Sequence, residues 1–113
     1  MRSARICLLR REPATLHFCS VTVEWNARKA AANLRKHRVS FEEAATVFCD
    51  PLALTFSDPD HSLQEDREVT IGSTMKGQVV FVSHCERGDR IRIISARLAT
   101  RSERRQYEEG IVG

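Results

Sequence analysis

Residues 21–48 read VTVEWNARKAAANLRKHRVSFEEAATVF, and this stretch decides the layer architecture. Val21, Val23 and Trp25 alternate with Thr22 and Glu24, the period of two that marks a half-buried strand with Trp25 in the core. Asn26 can then cap a helix through ARKAAANLRKH, where the alanines favour helix and Ala27, Ala30, Leu34 and His37 share one face. A tight link follows. Ser40 and Glu43 have the S-x-x-E spacing of a capping box, so a second short helix is predicted to about Phe48, stopped by Asp50 and Pro51. Two helices back to back behind a strand make a helical hairpin, which needs a sheet to bury its apolar side.

The downstream sequence supplies that sheet. Leu52, Leu54 and Phe56 alternate. After the polar loop SDPDHSLQED, Arg67, Val69 and Ile71 share a face, and VVFV at 79–82 is apolar on both sides, as in a central strand. Lys76-Gly77 and Gly88-Asp89 mark turns of an antiparallel meander. In RIRIISARL, 90–98, Ile91 and Ile93 are expected to point one way, and Arg92, Ile94 and Ala96 the other. Thr100 and Glu103 form a second capping box and start a last helix that ends near Gly110. The expected order is β-α-α-β-β-β-β-α, an α+β fold with a helical hairpin and a C-terminal helix packed on a twisted, mainly antiparallel sheet.

At 113 residues the chain suits one domain. Residues 1–20 are rich in arginine and nearly free of acids. They are expected to be a non-essential extension ahead of a domain at 21–113. No apolar run approaches the roughly 20 residues of a membrane-spanning helix. Cys7, Cys19, Cys49 and Cys85 have no C-x-x-C spacing and the histidines are scattered, so neither a metal site nor a cofactor site is expected. Without a secretory signal the thiols are expected to be reduced, in a cytoplasm, with Cys49 and Cys85 as small buried hydrophobes.

Net charge is +3, and residues 1–20 already supply +3, so the rest of the chain is balanced. Distribution is more telling. Residues 87–105 carry seven arginines against Asp89 and Glu103, while acids crowd the loop and strand start between 58 and 68. Such an arginine run points to an anionic partner.

In VEWNARKAAANLRKHRVSFEEAATVF, DREVTIG and IRIISARLATRSERRQYE the chain resembles the BrnT family, the ribonuclease toxins of BrnT/BrnA type II toxin–antitoxin systems. The resemblance covers residues 21–110. It rests on W-[DN]-x-x-K-x-x-x-N-x-x-K-H, then S-F-E-E-A, a D-R before a strand, and I-S-A-R followed by E-R-x-x-Y-E. It implies a RelE-like fold and an endoribonuclease that inhibits translation. It also implies neutralisation by a BrnA-type ribbon-helix-helix antitoxin, in a heterotetramer that meets DNA only through the antitoxin. Two positions depart from the family's usual pattern: Arg38 replaces a glycine after K-H, and Asn26 an aspartate that caps equally well.

Cleavage of RNA without metal needs a base for the 2′-OH, cations for a dianionic phosphorane, and an acid for the leaving 5′ oxygen. Arginine suits the second role, because its fork binds phosphate in bidentate fashion and stays charged. Arg67, Arg92 and Arg97 are the candidates, positioned by strands; the bland alternative for each is a structural ion pair. His37 is a candidate base, against a half-buried helix-end histidine. Lys36 could bind phosphate, Glu65 could act as base, and Tyr107 could stack on a base or donate a proton, against solvated or core roles. Arg101, Arg104 and Arg105 read as a solvated face. A rival to catalysis is a non-catalytic RNA- or partner-binding module that supports a DNA-binding antitoxin repressor.

Overall fold

Asn26 adopts extended backbone, and its side-chain oxygen accepts from the amides of Arg28 and Lys29 at 2.9 and 3.1 Å. That cap starts helix α1 (Ala27–His37) directly after strand β2 (Val21–Trp25). The computed structural model describes residues 14–18, 21–58 and 67–110. After α1 come α2 (Phe41–Ala45), a 3-10 turn at Thr46–Cys49, and strands β3 (Leu54–Ser57), β4 (Arg67–Ser73), β5 (Val79–Arg87) and β6 (Arg90–Leu98). Helix α3 (Arg101–Glu109) follows β6, and a strand β1 (Ala14–Phe18) precedes β2. The α+β order expected from the sequence is present, with β1 added in front of it.

The sheet runs β1-β2-β6-β5-β4-β3, antiparallel throughout except for the parallel pair β2–β6. Side chains alternate across a sheet, so register divides it into two faces. One face carries Val23, Val80, Val82, Ile93 and Ala96 and is covered by the helical hairpin, whose Val39, Phe41, Ala44, Ala45 and Val47 complete the core. Trp25 meets Phe41 edge-on at 6.1 Å between ring centres, as a core tryptophan should.

Three details differ from the sequence reading. The buried side of α1 runs through Ala30, Asn33 and His37, while Leu34 is 47% exposed. Asn33 goes inside because its amide is fully used: it donates to the carbonyls of Val39 and Ala96 and accepts from the amide of Ala96. The Ser40 box is half made, with Ser40 Oγ accepting from the Glu43 amide while the Glu43 carboxylate accepts from Thr74 instead. Leu52 lies in a turn and is exposed, so β3 begins later than the alternation suggested.

Cys85 is a free, buried thiol as expected, but Cys49 is disulfide-bonded rather than reduced. Cys7, Cys19, the rest of residues 1–13 and 19–20, and residues 59–66 of the acidic loop lie outside the described residues. Among the described residues no helix is long and apolar enough to cross a membrane. Arg38 caps α1 in the left-handed region at φ 61°, its amide bonded to the Leu34 carbonyl. A Cβ there costs about 1 kcal/mol that glycine avoids.

Candidate active site

The face of the sheet turned away from the helical hairpin gathers arginines that are far apart in sequence. Glu24 of β2 stands opposite Arg92 of β6, Arg92 opposite Cys85 of β5, and Cys85 opposite Arg67 of β4. Four strands therefore contribute one cross-strand row, Glu24–Arg92–Cys85–Arg67. Strands lie about 4.8 Å apart, which puts Arg92 and Arg67 about 10 Å apart at their backbones, with Cys85 between them. The next row toward the β5–β6 turn pairs Arg87 with Arg90. Four guanidinium-bearing residues thus share one end of one face.

One carboxylate organises two of them. Glu24 is 5% exposed, and its two oxygens accept separately from Arg90 at 3.1 Å and Arg92 at 3.2 Å. A nearly buried carboxylate needs such partners, since an uncompensated buried charge is costly. The guanidiniums stay partly open, with side-chain exposures of 52% for Arg90 and 24% for Arg92. Glu24 therefore fixes the direction of both cations without burying them. Arg67 is half-buried on the same face, and Arg87 is exposed.

A β-bulge in β6 decides what else joins this face. Ser83 pairs with Ser95 and His84 with Ile93, so Ile94 is an extra residue with no opposite number. The bulge resets the alternation. Ala96 consequently enters the core beside Ile93, contrary to the expected grouping with Arg92, and Arg97 comes to the same face as Arg92. Arg97 lies at the far end of the strand, though, and is already engaged. Its guanidinium stacks 4.0 Å above the Phe81 ring and binds both Glu103 oxygens, at 2.8 and 2.9 Å.

That pairing belongs to the start of α3. Thr100 Oγ1 accepts from the Glu103 amide and Glu103 accepts from the Thr100 amide, the full capping box expected from the sequence. The hydrogen bond to Glu103, then burial against it, then the carboxylate's charge leave the Arg97 pKa raised overall. Burial acts to raise Glu103, but the Arg97 and Thr100 hydrogen bonds outweigh it and hold the carboxyl below its ordinary value. Arg97 fastens the start of α3 to the sheet.

Tyr107 of α3 has a similar duty. Its hydroxyl donates to Asp50 at 2.7 Å, and the same carboxylate accepts from the amides of Leu52 and Ser73. The Asp50 bond, burial and the carboxylate's charge push the tyrosine up to about 12. The hydroxyl hydrogen is engaged with Asp50. Asp50 was read from sequence only as a helix stop, yet it ties the hairpin, β4 and α3 together.

Lys36 and His37 end α1, in the helix layer that covers the opposite face, so the fold separates them from the arginine rows. Glu65 lies outside the described residues. Sequence reasoning did not single out Glu24, Arg87 and Arg90, which the register places in these rows, although the spacing of Arg90 and Arg92 across one intervening residue signalled a shared strand face. On the hairpin-covered side, His84 is 2% exposed, and its Nε2 meets Thr70 Oγ1 at 2.7 Å under the edge of Phe48. Burial pushes this imidazole down to about 4. Among the described residues no group of three or more His, Cys, Asp or Glu could hold a metal ion.

The model of the ribonuclease toxin BrnT, of type II toxin–antitoxin systems, matches residues 25–103. The crystal structure of the Brucella abortus ribonuclease toxin BrnT, at 1.1 Å, is similar with a TM-score of 0.54 and 22% identity, covering 68% of this chain and 94% of that one. A search of curated proteins finds no match. That structural likeness establishes a shared fold, and the family match spans well over half of the chain. With the sheet, the helical hairpin and the capped last helix in place, the chain belongs to the BrnT family of ribonuclease toxins of type II toxin–antitoxin systems.

Proposed function

We propose that this ribonuclease toxin binds the scissile phosphate of RNA on the Arg67, Arg87, Arg90 and Arg92 face and cleaves it without a metal ion. The observation that carries the reading is the Glu24 clamp, which holds Arg90 and Arg92 side by side and partly open. In the reaction the 2′-OH gives its proton to water as its oxygen attacks phosphorus, the bond to the 5′ oxygen breaks, that oxygen takes a proton from water, and a 2′,3′-cyclic phosphate and a 5′-OH form. Negative charge builds on the equatorial oxygens in the transition state, and preoriented guanidiniums stabilise that charge more than the ground state. Arg97 and Tyr107 support the site by fixing α3.

The partner we propose is a BrnA-type ribbon-helix-helix antitoxin, which masks the arginine face in a heterotetramer and makes the only DNA contact. The charge run noted in the sequence supports an acidic covering surface, since exposed guanidiniums in a complex need neutralisation.

The test is RNA cleavage by the full chain, freed of antitoxin, in EDTA, beside Arg92→Ala. Fragments with 2′,3′-cyclic ends from the parent, reduced about 10²- to 10³-fold in a folded Arg92→Ala variant, are expected. Activity that requires an added divalent ion, or an Arg92→Ala protein as active as the parent, overturns the assignment.

A further inference from the structure

Helix α1 and its cap carry Arg28, Lys29, Arg35, Lys36 and Arg38 without one acidic residue between Ala27 and Arg38. All five are exposed. Among the described residues none of them has an ion-pair partner. At the C-terminal end of the helix lies a cleft of about 610 Å³, whose lining among the described residues is Leu34, Arg35 and Arg38. Leu34 presents an apolar, 47% exposed surface there, followed by Arg35 and, one turn on, by Arg38.

The backbone adds a separate observation. Arg38 is the one residue other than glycine with positive φ among the described residues, at a helix cap where glycine is unstrained. Strain kept at a position where a smaller residue would relieve it marks a side chain that is used. The chemistry around it is that of a nucleotide: an apolar patch for the face of a base, and guanidiniums for the flanking phosphates.

We infer that the Leu34–Arg35–Arg38 cleft is a second RNA-binding site, which holds single-stranded RNA upstream or downstream of the phosphate being cut. The inference rests on the reading of the chain as a ribonuclease acting through the arginine face. The cleft lies in the helix layer and the arginine rows on the opposite face, so RNA reaching both passes around the edge of the sheet. Leu34 beside the two guanidiniums offers an apolar surface to the face of a base and charge to its phosphates, and an acidic protein occupant is the alternative outcome of the experiment.

The experiment measures fluorescence anisotropy of a labelled twelve-nucleotide 2′-O-methyl RNA, which cannot be cut, against the full chain and the double variant Arg35→Gln, Arg38→Gly. Loss of two phosphate contacts is expected to weaken binding roughly tenfold near 0.15 M salt and to lower the slope of log K against log salt by about 1.4. The glycine relieves the cap, so the variant stays folded and melts no lower than the parent. Unchanged affinity and slope in the variant overturn the second site while leaving the ribonuclease reading intact. Variant protein that binds RNA normally but loses a co-expressed antitoxin also overturns it, assigning the cleft to the protein partner. A folded parent that neither binds this RNA nor cuts its 2′-hydroxyl counterpart removes the ribonuclease reading itself, and the inference with it.

Discussion

Glu24 holds two guanidiniums with two oxygens, so Glu24→Gln keeps the shape and removes the charge that aims them. Ribonuclease activity is expected to fall about tenfold or more, less than in Arg92→Ala, because both cations remain on the face. Steady-state cleavage rates of the two variants, side by side, check the order. Asn33 is a different kind of single residue. Replacing it with alanine leaves the Ala96 amide and carbonyl and the Val39 carbonyl without their partner, and a loss of about 3 kcal/mol is expected in urea unfolding. Arg38→Gly should gain about 1 kcal/mol in the same assay, by removing left-handed strain. At this scale the sequence was most readable where a residue acts on its own neighbours. The caps at Asn26 and Thr100 were legible because their partners lie two or three positions away. Asn33 was not, because its partner Ala96 is brought to it only by the fold.

Among the elements, β6 shows how one inserted residue controls a face. Without the bulge at Ile94, strict alternation would turn Ala96 out of the core or Arg92 out of its row. This is why period counting placed the strand correctly but grouped Arg92 with Ala96 wrongly: a bulge is a property of two paired strands. Helix α3 was legible through its capping box, whereas the Arg97–Glu103 and Tyr107–Asp50 ties that hold it down join residues of separate elements. Strand β1 belongs to a segment expected to be non-essential. Its five residues pair with all of β2, and Leu16 packs on the core. Removing residues 1–20 is expected to lower thermal stability by several degrees through the unpaired β2 edge, while leaving cleavage by the arginine face measurable. A truncated chain that melts with the parent shows that β1 adds nothing to the fold.

For the molecule as a whole, acid stability follows from a deeply buried histidine. His84 titrates near 4 when folded and near 6.5 when unfolded, so between those values the unfolded chain binds a proton the folded chain refuses. Its contribution is complete above pH 6.5 and is lost as pH falls toward 4, by up to about 3 kcal/mol. Urea midpoints from pH 7 to pH 4 should decline, with a shallower decline in His84→Gln. Asp50 and Glu103, held below their ordinary values, add a further loss only in more acid solution.

The parallel contact of β2 with β6 brings Glu24 to Arg92 across 68 positions of chain. Closing so long a loop is entropically expensive and slow relative to forming hairpins, so this contact is made after the β4–β5–β6 meander has paired. During synthesis, β6 has to leave the ribosome before Glu24 can find its partners. Arg87, Arg90 and Arg92 are themselves made late, so the nascent toxin has no assembled arginine face while its earlier elements form, and gains the clamp only once β6 has emerged.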